Sequence, residues 1–124
     1  MKGQNMTLTY LITGGTTPDG LQTDVAIDTD GNIAHLGQGL PVEAQHTLDA
    51  SGKIVLPGLV DLHTHLREPG NDDAETVETG TQAAAKGGFT AVHAMANSNP
   101  VADTAGVVEQ VYRLGREAGW TDVY

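Results

Sequence analysis

Two imidazoles and an arginine stand at alternate positions in the stretch Gly58-Leu-Val-Asp61-Leu-His63-Thr-His65-Leu-Arg67-Glu68-Pro69-Gly70. The mostly apolar run that leads into it, residues 54–60, predicts a buried strand, and side chains at i and i+2 of a strand project from the same face. His63 and His65 can therefore share one metal ion. Arg67 adds a guanidinium group, which binds carboxylates through paired hydrogen bonds. The pattern is typical of a metal ion held beside an anionic substrate.

Two imidazoles on a solvated strand bind nothing unless further ligands converge on them, so the flanking residues matter. Pro57-Gly58 marks the start of the strand, an aspartate precedes the first histidine, and residues 67–70 end the strand in a turn. The whole block resembles the metal-binding signature of dihydroorotases, a family within the amidohydrolase superfamily.

The resemblance implies roles for four residues. In dihydroorotases the two motif histidines ligate one or two zinc ions, which assigns that role to His63 and His65. The motif arginine and an asparagine in a Met-Pro-Asn-Thr segment bind the substrate carboxylate, which points to Arg67 and Asn97. The segment around Asn97 departs from that pattern at two positions, with Ala96 for proline and Ser98 for threonine.

Each of these residues also has a structural interpretation. Arg67 could form an ion pair with Glu68 or with an acidic helix residue, and Asn97 could simply cap a turn. Asp61 could orient a ligating imidazole or bind the backbone at the strand end. His93, inside a predicted strand, is expected to be a core histidine rather than a ligand.

Length limits the fold. A complete (β/α)8 barrel, which the resemblance implies, needs roughly 250 residues, and this chain has 124. We therefore expect the α/β chain to be incomplete and to hold only the start of a metal-dependent hydrolase barrel. Residues 1–57 should form the N-terminal part of a small β-sandwich domain. Residues 58–124 should form the first two βα units and the start of a third strand.

Hydrophobic periodicity and turn residues predict the elements. In the first part, the alternating segments predict strands at Leu8–Thr13, Thr23–Asp28, Asn32–Leu36 and His46–Asp49. Residues 14–20 should form a loop, and residues 28–31 predict a hairpin turn in which Gly31 can take a positive φ. In the second part we expect a strand ending at His65, a helix over Ala74–Lys86 capped by Asp72 or Asp73, a strand over Phe89–Met95, a helix over Ala105–Ala118 and a strand from Thr121. Strands that alternate with helices predict a parallel sheet.

Composition narrows the class of protein. The formal net charge is -10 and the six basic residues are scattered, which argues against nucleic-acid binding. The chain has no cysteine, so a metal must be held by imidazole and oxygen ligands. No apolar run has the length of a membrane span or the form of a signal peptide. We expect a cytoplasmic protein that binds no membrane.

The residues present do not complete a catalytic site, because a catalytic zinc normally has three protein ligands and a water. The resemblance implies a carbamate-modified bridging lysine, two more histidines and an acid/base aspartate on later strands, beyond Tyr124. Lys53 and Lys86 are poorly placed to be that lysine. We therefore expect this segment alone to be inactive and to fold poorly or aggregate, since its strand edges would be unpaired.

The resemblance implies that the full-length protein is an enzyme. It would interconvert N-carbamoyl-L-aspartate and dihydroorotate, both small carboxylates, in de novo pyrimidine synthesis. One alternative is a cyclic amidase similar to hydantoinases or allantoinases, which do not usually carry the Leu-Arg-Glu-Pro-Gly segment. A second is a non-catalytic partner of aspartate transcarbamoylase, although such homologues tend to lose the metal histidines. Homo-oligomerisation and association with aspartate transcarbamoylase are both expected possibilities.

Overall fold

The computed structural model describes residues 7–124, and the chain consists of two compact units with the boundary between Pro57 and Gly58. The first unit contains the strands β1 (Leu8–Thr16), β2 (Gln22–Asp28), β3 (Ile33–Gly37) and β4 (His46–Asp49). The second contains β5 (Leu59–Thr64), α1 (Val77–Lys86), β6 (Phe89–Ala94), α2 (Ala105–Ala118) and β7 (Asp122–Val123). The predicted order of strands and helices is confirmed. None of the helices in residues 7–124 is long and apolar enough to cross a membrane.

The first unit is one four-stranded sheet in the order β3-β2-β1-β4. The pairs β1–β2 and β2–β3 are antiparallel, whereas β4 lies parallel to β1. The predicted hairpin between β2 and β3 is confirmed, with Gly31 at a φ of 83° in the turn. β1 is longer than predicted, because Gly15 and Thr16, expected in a loop, pair with β2 after an irregularity that contains Gly14.

Asp24 joins three parts of the first sheet through its carboxylate. One oxygen accepts a hydrogen bond from the backbone amide of Gly14 at 2.8 Å, and the other accepts from the amides of Gly39 at 2.8 Å and Leu40 at 3.3 Å. These amides stabilise the ionised form. The contact with Gly14 is the largest cause of a lowered pKa for Asp24.

The second unit is a parallel three-stranded sheet in the order β5-β6-β7, as the alternation of strands and helices predicted. Its core contains side chains from the sheet, both helices and the segment after β5, namely Leu66, Val77, Val92, Val111 and Val123. Close packing of α2 on β7 requires a glycine at position 115, since a Cβ there would lie 2.6 Å from Cβ of Val123. The helices therefore lie against β6 and β7.

The predicted start of α1 is wrong. The helix begins at Val77, not Ala74, and its N-cap is Thr76 rather than Asp72 or Asp73. Thr76 and Thr79 form a reciprocal capping box, in which each side chain accepts a hydrogen bond from the other residue's backbone amide. Residues 71–74 form a turn instead, closed by a hydrogen bond from the amide of Ala74 to the carbonyl of Asn71.

The prediction of a buried strand leading into the histidines is also wrong for this chain. Leu59, Val60 and Leu62 are 45%, 52% and 69% exposed. Ile54 forms only an isolated bridge with Thr16. The run has the composition of a buried strand, but no group within residues 7–124 covers these side chains. Their burial would require further polypeptide.

In the full-length protein, replacement of Asp24 by Asn should lower the urea midpoint of unfolding at pH 7, because the amide cannot carry the charge that the three backbone amides stabilise. A carboxyl whose pKa lies below its ordinary value of 3.8 stabilises the fold above that pH, and this contribution is lost as the pH falls through the folded-state pKa. The difference between the two proteins should therefore shrink in acid.

Asp30→Asn is the matched control, because Asp30 is exposed and its carboxylate accepts no hydrogen bond within residues 7–124. Equal effects of the two substitutions at pH 7 would contradict the role given to Asp24.

Candidate functional site

β5 brings the two motif histidines side by side. His63 lies within the strand and His65 immediately follows it, and their ring centroids are 5.1 Å apart at an interplanar angle of 61°. This separation agrees with the expected projection of residues i and i+2 from one face. The two rings can thus present nitrogens to a common point.

Asp61 contacts the backbone of this strand. Its carboxylate accepts a hydrogen bond from the amide of His63 at 2.9 Å, and this bond is the main reason why the pKa of Asp61 is lowered. Asp61 thus makes the backbone contact that one of its two interpretations expected. This hydrogen bond holds the backbone at His63, the first histidine of the pair.

The strand ends of β5 and β6 meet at one edge of the parallel sheet. The amide of Met95 donates to the carbonyl of Thr64 at 2.9 Å, which aligns the two chains as they leave the sheet. Beyond that bond, Nδ1 of His65 lies 2.9 Å from Oδ1 of Asn97. Two residues from separate motifs, 32 positions apart, are therefore in direct contact.

The loops that follow β5 and β6 dock closely on each other. The amide of Asn99 donates to the carbonyl of Pro69 at 2.9 Å. Gly70 has a φ of 102°, and a Cβ built on it would lie 2.3 Å from the carbonyl oxygen of Asn99. Only glycine leaves room for this approach of the two backbones.

Arg67 lies at the start of the first of these loops. It adopts a left-handed conformation with a φ of 65°, and its carbonyl accepts a hydrogen bond from the amide of Asn71 at 3.1 Å. The exposed side chain of Arg67 forms no ion pair within residues 7–124. Arg67 and Asn97 line the same cavity, of about 100 Å³.

The suggested ion pair between Arg67 and Glu68 is wrong, because Glu68 has another partner. Its carboxylate accepts a hydrogen bond from the amide of Val77 at 2.7 Å, at the first residue of α1. A carboxylate at this position satisfies a free amide and interacts favourably with the helix dipole. Glu68 thus anchors the loop that carries Arg67 to the following helix.

His93 takes no part in the contacts among His63, His65 and Asn97. Its ring is partly buried and lies 5.3 Å from the ring of Tyr124, at an interplanar angle of 30°. Tyr124 is itself exposed and His93 is not part of the buried core, so the interpretation as a core histidine stays a prediction. No hydrogen bond in the described part of the chain links His93 to His63 or His65.

The histidine pair fits a zinc ion as part of a ligand set. Imidazole is a common zinc ligand, and the contact of Nδ1 of His65 with Asn97 leaves the Nε2 nitrogen of that ring available. Within residues 7–124 no group of three or more histidine, cysteine or acidic side chains is arranged to hold a metal ion. The site needs at least one ligand from elsewhere.

Sequence reasoning missed the contacts that hold this site together. The contact between His65 and Asn97 depends on the register of two parallel strands, which no local pattern reveals. Glu68 was considered only as a partner for Arg67, although an acidic residue before a helix is a known capping signal. Gly70 had a signal, since a glycine after proline in a turn often marks a close backbone approach.

Comparison with known proteins gives one consistent family. The family model described as dihydro-orotase-like matches residues 52–124. Among curated relatives, the dihydroorotase of Streptomyces coelicolor is 59% identical over 114 residues, which cover 91% of this chain and 26% of the relative. The dihydroorotase of Mycobacterium tuberculosis is 51% identical over 107 residues, covering 86% and 25%. The chain thus spans about a quarter of the length of these relatives.

Similar solved structures are amidohydrolases. The L-hydantoinase (dihydropyrimidinase) of Arthrobacter aurescens superposes with a TM-score of 0.76 at 27% identity, covering 87% of this chain and 25% of that one. A D-hydantoinase crystal structure gives a TM-score of 0.66 at 29% identity, covering 90% and 25%. Mixed α/β architecture of the amidohydrolase type is common to all three chains.

Gly70→Ala should destabilise the protein by about 1–3 kcal/mol, the usual cost of forcing extra volume into a packed site. The added Cβ would meet the backbone of Asn99, so the two loops must separate. Gly88→Ala is a matched control, because Gly88 also has a positive φ, of 87°, but no atom lies within 4 Å of its added Cβ. Thermal unfolding of both variants of the full-length protein measures the difference. Equal losses would mean that backbone strain alone, and not loop contact, requires Gly70.

Proposed function

Because this chain belongs to the dihydro-orotase-like family, we propose that it is the N-terminal part of a zinc-dependent dihydroorotase, which interconverts N-carbamoyl-L-aspartate and dihydroorotate in pyrimidine synthesis. One observation carries the proposal. Arg67 and Asn97 line the same small cavity, and Asn97 connects it to the histidine pair through its contact with His65. A carboxylate subsite and a metal site would therefore adjoin.

The size of the cavity suits a part of the substrate. Ligand pockets usually have volumes of roughly 300–1,000 Å³, so about 100 Å³ accommodates a carboxylate but not a whole ring system. Arg67 can offer two parallel N–H donors to that carboxylate, and the side-chain amide of Asn97 can offer a third. With a formal net charge of -10, long-range attraction of an anion is unfavourable. Arg67 must therefore act locally.

The proposed fold of the whole protein is a (β/α)8 barrel preceded by a β-sandwich. The parallel order β5-β6-β7 with intervening helices supports the start of such a barrel. A cavity of about 600 Å³ beside α2 and β7, lined by Phe89, Tyr112 and Trp120 among others, is a suitable place for the next βα unit. The exposed apolar side chains of β5 would be covered by the remaining strands.

The reaction in the hydrolytic direction adds water to a ring carbonyl and breaks the ring C–N bond, and the released nitrogen takes up a proton. Arg67 and Asn97 would hold the carboxylate so that the carbonyl faces the histidines. His63 and His65 would be two of the zinc ligands. When bound, zinc supplies Lewis-acid activation of the carbonyl and of water. The proton would be moved by an aspartate beyond Tyr124.

The alternatives predict different substrates or none. A hydantoinase-like amidase is compatible with the similar solved structures, but Arg67 and the dihydroorotase relatives favour the carboxylate substrate. A non-catalytic partner of aspartate transcarbamoylase is disfavoured by the presence of both histidines. A cytoplasmic location and association with itself or with aspartate transcarbamoylase remain part of the proposal.

The full-length protein with zinc should form N-carbamoyl-L-aspartate from dihydroorotate. The reaction is measured as the loss of dihydroorotate absorbance. Hydantoin and allantoin, which lack the carboxylate that Arg67 would bind, should be poor substrates. Turnover of either compound without turnover of dihydroorotate would exclude the proposed activity. Absence of all turnover from a zinc-loaded, folded protein would favour the non-catalytic alternative.

Arg67→Ala in the full-length protein should raise KM for dihydroorotate about 10- to 100-fold, as expected for hydrogen bonds to a charged group that contribute about 1.5–3 kcal/mol. Arg67→Lys should recover only part of the loss, because an ammonium group lacks the paired donors of the guanidinium. Arg113→Ala is the control, since Arg113 is exposed on α2 and pairs with Glu117. Similar KM values for all variants would show that Arg67 does not bind the substrate.

A further inference from the structure

Asn97 contacts His65 and also lines the cavity to which Arg67 contributes. Its side-chain oxygen lies 2.9 Å from Nδ1 of His65, whereas the residue as a whole lines the cavity that it shares with Arg67. Binding of a carboxylate would use only the NH2 group of the amide. The contact with His65 uses the oxygen, which that role leaves free.

The hydrogen bond sets the tautomer of His65. With the amide of Asn97 oriented so that Oδ1 faces the ring, the oxygen can only accept, and this arrangement requires the ring proton on Nδ1. The Nε2 nitrogen then holds the unprotonated lone pair, which is the form a metal ion requires. With the opposite tautomer, the amide of Asn97 would have to turn over and donate to Nδ1, which would take one of its N–H donors from the carboxylate.

We infer that Asn97 is a positioning residue for His65, which holds the ring in the tautomer and orientation that present Nε2 to the metal ion. This role rests on the proposed zinc site and is additional to binding of the substrate carboxylate. The partner of a metal-ligating imidazole is usually a carboxylate, a backbone carbonyl or water. Here a side-chain amide would both position His65 and bind the substrate carboxylate. It would thereby couple the metal site to the carboxylate subsite.

Neighbouring groups do not supply an equivalent contact. The two acidic residues closest to His65 along the chain bind backbone amides instead of a ring: Asp61 accepts from the amide of His63 and Glu68 from that of Val77. In the described residues, no other side chain or backbone group forms a hydrogen bond with a ring nitrogen of His65. The docking of Asn99 on Pro69 and Gly70 holds Asn97 in reach. The tautomer of His65 therefore depends on Asn97.

Two substitutions separate the tasks of Asn97 in the full-length protein. Asn97→Asp keeps an oxygen that accepts from Nδ1 but loses the NH2 donors and adds a negative charge. Asn97→Ala loses both. Gln110→Asp and Gln110→Ala make the same chemical changes at an exposed position of α2 and serve as controls.

The first readout is the ¹⁵N spectrum of the imidazoles in the metal-free proteins at a pH where histidine is neutral. Signals of His65 are assigned by their loss in His65→Gln. The original protein and Asn97→Asp should show the proton on Nδ1. In Asn97→Ala the ring should shift toward the Nε2–H form.

The second readout is zinc affinity, measured by competition with a chelator. Asn97→Ala should bind zinc about 10- to 100-fold more weakly, the usual effect of removing such a partner. Asn97→Asp should keep the affinity of the original protein, while its KM for dihydroorotate rises. An Nδ1–H tautomer with unchanged zinc affinity in Asn97→Ala would overturn the inference. So would a 10-fold loss of zinc affinity in Asn97→Asp, which also decides the matter if Asn97→Ala fails to fold.

Failure of the proposed function and failure of the role of Asn97 would give different experimental results. A protein that shows the expected tautomer and zinc affinities but does not turn over dihydroorotate would retain the role of Asn97 and lose the substrate assignment. A dihydroorotase whose His65 tautomer is indifferent to Asn97 would retain its function and refute the inference.

Discussion

The docking of two loops at the ends of β5 and β6 connects the histidine pair to the neighbouring cavity. It consists of the hydrogen bond from Asn99 to the carbonyl of Pro69 and the close approach of Asn99 to Gly70. Parallel pairing brings the strand ends to one edge of the sheet, but pairing alone does not fix the chains beyond it. The loop contact does so, and it places Asn97 within hydrogen-bond distance of His65.

The second unit has one well-covered face and one uncovered strand. Its buried core is small and formed mainly by valines, with contributions from both helices, β6 and β7. The apolar residues of β5 remain exposed, although the sequence before the histidines has the composition of an interior strand. Since hydrophobic burial is the main source of stability, the arrangement calls for more polypeptide on that face. The match to only a quarter of the length of related dihydroorotases accords with this need.

Local sequence patterns predicted those features that depend on local chemistry. Alternation and turn residues located the strands and the hairpin at Gly31, and helical periodicity located α2 at its observed bounds. The start of α1 was mispredicted because Asp72 and Asp73 offer a capping carboxylate. In the structure the amides at the start of the helix are capped instead by the Thr76–Thr79 box and by Glu68. The side-by-side arrangement of His63 and His65 follows from strand periodicity. The partner of His65 does not, because it depends on the register between strands.

The central claim is that His63 and His65 bind zinc next to a carboxylate subsite formed by Arg67 and Asn97. The most direct measurement is a crystal structure of the full-length protein with zinc and dihydroorotate, with the metal identified by anomalous scattering at the zinc edge. The account predicts zinc on both imidazoles, with His65 bound through Nε2, and the substrate carboxylate on the guanidinium of Arg67 and the amide of Asn97. Zinc bound away from the histidine pair, or a carboxylate that contacts neither residue, would contradict it.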